Sequence, residues 1–212
     1  MIKRLFDFLV SLSGLIIFSP LFLIIAILIK LDSAGPVFYR GERIGKDGRP
    51  FRIFKFRTMV KDAEKLGGPS TSADDPRLTK IGTFLRKYKL DELPQLINVL
   101  RGEMSLVGPR PEVKMYVEML KPEERKKILS VRPGITDLAS LWNFHEEEVL
   151  KGSKDPEKTY FEKIRPKKVQ LQLEYVQNSS FLLDLKIILR TILRLFYEKF
   201  RKKGERNKEK SG

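Results

Sequence analysis

Phe8–Ile29, FLVSLSGLIIFSPLFLIIAILI, runs for 22 residues without a charge, with Lys3 and Arg4 before it and Lys30 after it. At about 1.5 Å per residue, a helix of this length reaches across a hydrocarbon core of roughly 30 Å. The apolar stretch is too long for a removable signal peptide, and no good small-residue cleavage site follows. The segment therefore reads as a membrane element that stays with the chain. Its centre carries Ser19-Pro20, where the proline ring removes a backbone donor and crowds the preceding turn. Two arrangements are open. A kinked helix crosses the bilayer, or the chain turns at Ser19-Pro20 and leaves on the side it entered, with Ser19 helping to satisfy freed backbone groups. Lys30, Arg40, Arg43, Lys46, Arg49, Arg52, Lys55 and Arg57 follow the segment, which assigns the bulk of the chain to the cytoplasm. Crossing would export Lys3, Arg4 and the amino terminus, whereas a hairpin keeps both basic ends inside.

Working outward, the 212 residues suffice for one substantial domain plus an anchor. The division expected is an anchor over 1–32, a catalytic domain over 33–198 and a basic, disordered tail over 199–212. With 42 Lys and Arg against 27 Asp and Glu, the net charge of +15 favours anionic partners: lipid headgroups, nucleotides or nucleic acid. The absence of cysteine excludes thiol nucleophiles, thiolate metal sites and disulfides. His145 is the single histidine, and no Gly-x-Ser-x-Gly elbow accompanies it, so a serine triad is disfavoured. Catalysis is then expected to run on carboxylates and arginines, with or without a metal.

Pro36 to Met59 reads as a β-hairpin, with Val37-Phe38-Tyr39 and Phe51-Arg52-Ile53-Phe54 flanking the turn dipeptide Asp47-Gly48. Lys55-Phe56-Arg57-Thr58 ends its second strand, and such interleaved cations and aromatics grip a phosphate or base, or line a solvated face. Gly67 to Ser72 is a turn-rich loop. One helix is expected around Ile81–Lys89 and another from Asp91 to Arg101, with Pro94 in its first turn and Gly102 as its cap. Gly108-Pro109-Arg110-Pro111 is a stiff loop that presents Arg110. Glu112–Lys127 reads as helical, Arg132-Pro133-Gly134 as a turn, and Glu146-Glu147-Glu148 as a solvated acidic face. After Ser180, an apolar stripe of Phe181, Leu185, Ile188, Leu189, Ile192, Leu195 and Phe196 opposes Lys186, Arg190 and Arg194. That helix suits either the membrane interface or the core, because periodicity does not distinguish lipid from protein. The fold class is thus α+β and mostly helical: a membrane helix or helix-hairpin, a small β-hairpin, catalytic helices and amphipathic helices.

Arg86, Asp91, Glu92 and Arg110 are the densest reactive cluster. The two carboxylates either cap a helix start, or stand beside arginines and exposed amides that hold a phosphate. Carboxylate and phosphate repel each other, and a divalent cation relieves that repulsion.

Arg86–Glu112, RKYKLDELPQLINVLRGEMSLVGPRPE, resembles the signature of the monotopic phosphoglycosyl transferases, the bacterial sugar transferase family. The likeness continues in IKRLFD at Ile2, Phe18-Ser19-Pro20, Gly35-Pro36-Val37-Phe38, FKFRTM ending at Met59, Asp75-Pro76-Arg77, VRPGIT ending at Thr136 and SFLLDLKI ending at Ile187. It implies a polyprenyl-phosphate sugar-1-phosphate transferase of minimal form, anchored by a re-entrant hairpin on the cytoplasmic face of the bacterial inner membrane. Asp91 and Glu92 would be its catalytic dyad, Asp91 the nucleophile on a UDP-sugar and a ligand of Mg²⁺. UMP would leave, and a polyprenyl (undecaprenyl) phosphate would take the sugar phosphate from Asp91. Arg86, Arg110, Arg57 and Arg132 match family positions near phosphate or nucleotide. The implied partners are the donor, the lipid acceptor, inner-membrane lipids and a second copy in a homodimer, with no nucleic acid. Lys89, Glu103 and the segment Asp137–Phe144 depart from the family pattern. The competing classes are a tethered binder of anionic lipid or nucleic acid, which needs no dyad, and a diphosphate hydrolase.

Overall fold

The computed structural model describes residues 2–209, with side chains through Tyr197. Helix α1, Ile2–Asp32, passes through Pro20 without ending. The interruption expected at Ser19-Pro20 is therefore absent from the helical path. Pro20 has no N–H to give the carbonyl of Ile16, and the Ser19 hydroxyl donates to that oxygen at 2.8 Å instead. Satisfying the orphaned acceptor removes the main reason for the helix to stop.

Helix α1 packs on the rest of the chain toward its two ends, whereas residues 16–20 in its middle are all exposed. Near its start Phe6 and Leu15 pack on a core that includes Phe51, Ile53, Val99, Met104, Val107, Tyr175 and Ile187. Further on, Leu21, Phe22, Ile25 and Ile29 pack on Phe56 and Leu85. Polar groups fix both ends. Lys3 pairs with Asp184 and donates to the carbonyl of Val107, and buried Asp7 accepts from Ser105 Oγ at 2.8 Å and from the Leu106 amide. At the far end Asp32 accepts from the Ile81 amide at 3.1 Å, and Arg57 donates to the carbonyls of Ser33 and Ala34. The opposite face, including Leu9, Ile16, Ile17, Leu23 and Ile27, is apolar and exposed.

The expected hairpin forms as two nested pairs. Strand β1 (Phe38–Tyr39) pairs with β4 (Lys55–Phe56), and β2 (Glu42–Ile44) with β3 (Pro50–Arg52), all antiparallel. Phe38-Tyr39 thus pairs with Lys55-Phe56, the end of the expected second strand. Asp47 and Gly48 supply the turn with φ of 57° and 76°, values that an Asp-Gly pair tolerates.

Helix α2 is Lys80–Lys87 and α3 is Gln95–Leu100. The single helix expected over Glu112–Lys127 is two, α4 (Lys114–Glu118) and α5 (Pro122–Ile128). Pro122 occupies a first-turn position, which a proline fills well and which the preceding helix cannot cross. Strands β5 (Ser105–Val107) and β6 (Gly134–Thr136) pair in parallel. Short helices α6 (Leu138–Trp142), α7 (Glu146–Val149) and α8 (Pro156–Thr159) lead into α9 (Arg165–Gln177).

Helix α10, Phe181–Glu209, divides the predicted stripe. Phe181 meets Phe6 edge to face at 5.3 Å and Ile188 joins the core, whereas Leu189, Ile192, Leu195 and Phe196 stay exposed. Residues 210–212 and the side chains of the basic tail expected over 199–212 lie outside the described residues.

Candidate active site

The dyad sits where α2 hands over to α3. Thr79 caps α2 by accepting from the Gly82 amide, and the helix closes at Lys87. Lys89 then adopts φ 55°, ψ 23°, a left-handed conformation that is uncommon for a residue other than glycine. This bend leads into a 3-10 turn, Leu90–Glu92, so the helix expected from Asp91 with Pro94 in its first turn instead starts at Gln95, with Pro94 just before it. Leu90 packs into the cluster that holds Ile25 and Ile29 of α1. The two carboxylates beside it are therefore held against the membrane helix.

They differ sharply in their surroundings. Glu92 takes a two-pronged contact from Arg110, Nη2 to Oε1 and Nη1 to Oε2 at 3.1 Å, while Lys55 Nζ donates to Oε1 at 2.8 Å. Such a fork on a carboxylate is directional as well as strong. Burial alone would raise the pKa of Glu92, but Arg110 and Lys55 outweigh it and hold the carboxyl well below its ordinary range. Glu92 in turn makes Arg110 harder to deprotonate. Lys55 is pushed downward by burial, which Glu92 only partly offsets.

Asp91 is buried at 7% exposure, and among the described residues no hydrogen bond or ion pair engages its carboxylate. Burial raises its pKa and the Glu92 charge adds to that, against Lys55, Arg86 and Lys89. One member of the dyad is saturated by cations; the other keeps its oxygens uncommitted.

Arg110 owes its position to the loop foreseen in the sequence. The Gly108 amide donates to Thr136 at 3.1 Å and the Gly134 amide to Pro109 at 3.0 Å, so the Gly-Pro-Arg-Pro segment is held on β6. The backbones approach closely enough that a Cβ on Gly134 would lie 2.1 Å from the Gly108 nitrogen. Arg110 also reaches the carbonyl of Ile135 at 3.4 Å.

Of the other arginines, the Arg86 side chain makes no hydrogen bond among the described residues, and its charge bears on both Asp91 and Asp75. Arg57 is spent on the end of α1, and Arg132 donates its Nε to the carbonyl of Gly102 at 2.8 Å. The contacts therefore bring Arg110 and Lys55 onto the dyad but engage Arg57 and Arg132 elsewhere.

The solvated reading of Glu146-Glu147-Glu148 holds for exposed Glu148 and is corrected for Glu146 and Glu147. Glu147 grips Lys89 with both oxygens at 3.0 Å and lies 3.5 Å from His145 Nδ1, and Glu146 lies 3.7 Å from Lys168. Burial would raise Glu147, yet the His145 contact and the Lys89 charge bring it to about 2. Three acidic residues in a row look solvated in one dimension; only the fold supplies cations 58 residues away.

Among the described residues no three carboxylate or histidine side chains converge as a metal cage. Magnesium commonly takes one or two carboxylates and completes its shell with water and substrate phosphate. Asp91, with uncommitted oxygens, fits that arrangement; Glu92, whose oxygens are already occupied, does not.

Residues 1–198 match the family described as bacterial sugar transferase. Over 203 residues the chain is 39% identical to the exopolysaccharide production protein PSS of Rhizobium leguminosarum bv. phaseoli, covering 91% of this chain and 94% of that protein. It is 39% identical over 193 residues to the UDP-N-acetylgalactosamine-undecaprenyl-phosphate N-acetylgalactosaminephosphotransferase of Aeromonas hydrophila, covering 90% of this chain and 43% of that one. With the UDP-glucose:undecaprenyl-phosphate glucose-1-phosphate transferase of Escherichia coli (strain K12) the identity is 39% over 202 residues, 94% of this chain and 41% of the relative. The chain thus spans less than half the length of these two relatives and nearly all of the Rhizobium protein. Since the family match takes in the anchor helix, the dyad, the Arg110 loop and the start of α10 together, this chain belongs to the bacterial sugar transferase family.

Proposed function

We propose that the protein transfers a sugar-1-phosphate from a UDP-sugar to a polyprenyl phosphate, with Asp91 as nucleophile and UMP as leaving group. The observation that carries this reading is the division of labour in the dyad. Glu92 is neutralised by Arg110 and Lys55, while the carboxylate of Asp91, its neighbour, has no hydrogen-bond or ion-pair partner among the described residues. A carboxylate without hydrogen bonds, in a site rich in cations, is suited to attack a phosphorus whose oxygens those cations attract.

An Asp91 oxygen attacks the sugar-bearing phosphorus, the bond from that phosphorus to the bridging oxygen breaks, and UMP departs with the electron pair. A phosphate oxygen of the polyprenyl acceptor then attacks the same phosphorus and returns the carboxylate to Asp91. Arg110 and Lys55 keep Glu92 ionised and in place, and the Arg86 charge bears on Asp91. Magnesium, held by Asp91 and the substrate phosphates, would neutralise charge on the diphosphate.

Topology follows the same reading: a monotopic protein at the cytoplasmic face of the bacterial inner membrane. In its support, Lys3 and Arg4 at one end of α1 and Asp32 at the other bond to a single domain. A helix crossing the bilayer would part those ends. The names of the Aeromonas and Escherichia relatives, both undecaprenyl-phosphate transferases, support the acceptor.

The test uses purified full-length protein with a panel of UDP-sugars, Mg²⁺ and undecaprenyl phosphate, following UMP and intact protein mass. Without acceptor, the protein should gain the mass of one sugar phosphate, and Asp91→Asn should abolish the gain and UMP release. UMP release with no mass gain under trapping conditions argues for direct transfer, and UMP without lipid product for hydrolysis.

A further inference from the structure

Away from the dyad, at the far end of α3, Arg40 and Arg101 share the ring of Phe54, and Arg52 adds its charge. The guanidinium carbon of Arg40 stands 3.4 Å from the centre of the Phe54 ring and that of Arg101 stands 5.0 Å from the same centre. Their separation is therefore no greater than these two distances combined. The Arg52 charge also bears on Arg40. Among the described residues none of the three side chains makes a hydrogen bond or an ion pair, and Arg40 Nε is buried with no acceptor. Glu103, the one carboxylate whose charge reaches Arg40, is itself occupied by Asn98 Nδ2 at 2.7 Å.

Aromatic stacking accounts for part of this arrangement, since a guanidinium over a ring is attractive. It does not account for two like charges on one ring, or for an orphaned buried N–H, which ordinarily signals an absent water or ion. Burial and the Arg101 charge both press the Arg40 guanidinium toward deprotonation, so an anion between them would relieve both costs. The position narrows the kind of anion. Arg4, four residues before the apolar run of α1, donates to the carbonyls of Val99 and Leu100 at 2.6 and 2.9 Å, immediately before Arg101. The cluster thus adjoins the place where the membrane helix begins.

We propose that Arg40, Arg52 and Arg101 form a phosphate site distinct from the dyad, built to take a phosphate ester such as a phospholipid headgroup. A phosphate presents several acceptor oxygens and is recognised by arginine forks in this way. The site is independent of the chemistry at Asp91 and stands whether or not that reading holds.

The experiment places full-length protein in nanodiscs of phosphatidylcholine, with or without phosphatidylglycerol, and separately adds inorganic phosphate or UMP to the zwitterionic discs. Native mass spectrometry counts retained phosphatidylglycerol, and a thermal midpoint is recorded for each condition. Expected is retention of at least one phosphatidylglycerol with a rise in midpoint, and a loss of retention of at least fivefold in Arg40→Gln/Arg101→Gln. Arg101→Gln alone, at an exposed position, should fold normally and lose part of the retention. A midpoint rise with inorganic phosphate or UMP, also lost in the double variant, keeps the site but makes its ligand a soluble phosphate. Equal retention in wild type and Arg101→Gln, or no response to any of the three probes, overturns the proposal.

Discussion

Both carboxylate oxygens of Glu147 lie 3.0 Å from the Nζ of Lys89, the residue whose left-handed backbone bends the chain into the turn that carries Asp91. A left-handed lysine costs on the order of 1 kcal/mol, and the clamp from α7 offsets that cost while fixing the direction in which the turn leaves α2. Replacing Glu147 by Gln, or Lys89 by Met, should reduce kcat more than it raises KM for the UDP-sugar, because the nucleophile is misdirected while the arginines stay in place. Rates of UMP release across donor concentrations read this directly. The loss of stability should be about 1–3 kcal/mol, since a partly buried partner is left without its counter-charge.

Acid should act through the same residue. The folded pKa of Glu147 is about 2, below its ordinary value of 4.5. A depressed carboxyl contributes stability above the unfolded value and loses it as pH falls toward the folded one. Thermal midpoints taken between pH 5 and 2.5 should therefore fall more steeply for wild type than for Glu147→Gln. Parallel curves would mean that the clamp contributes nothing.

Asp91→Asn should be inactive yet at least as stable as wild type, by up to about 1 kcal/mol at neutral pH. Its pKa is raised, chiefly by burial, so the ionised form is the one the fold tolerates less well. Urea unfolding at pH 7 reads the sign. A clearly destabilised Asp91→Asn would mean that the carboxylate is held by partners and is no free nucleophile.

Glu92→Gln should behave in the opposite way. Removing its charge leaves Arg110 and Lys55 facing each other in a partly buried site, a loss of about 1–3 kcal/mol. Both activity and thermal midpoint should fall together, and Glu92→Asp should recover part of the midpoint.

Gly134→Ala tests the platform under Arg110. The added Cβ would sit 2.1 Å from the Gly108 nitrogen, and backbone has nowhere to move in a parallel pair. A destabilisation above about 3 kcal/mol, or insoluble protein, is expected. Normal folding with normal UMP release would show that the β5–β6 register is not needed.

Much of the site is local, and the sequence by itself determined it. The 22-residue apolar run, the Asp47-Gly48 turn, Gly102 after α3 and the stiff loop bearing Arg110 each follow from backbone and hydrophobic preferences of neighbouring residues. Family resemblance then singled out Asp91 and Glu92. Tertiary structure alone decided which carboxylate is saturated and which is open, because Arg110 and Lys55 approach Glu92 from 18 and 37 residues away. It likewise decided that Glu147 is a clamp instead of a solvated residue, that Arg57 secures the end of α1, and that Ser19 answers for the donor Pro20 lacks. Charge and periodicity state what a side chain can do; only the path of the whole chain brings the opposite charge within reach of it.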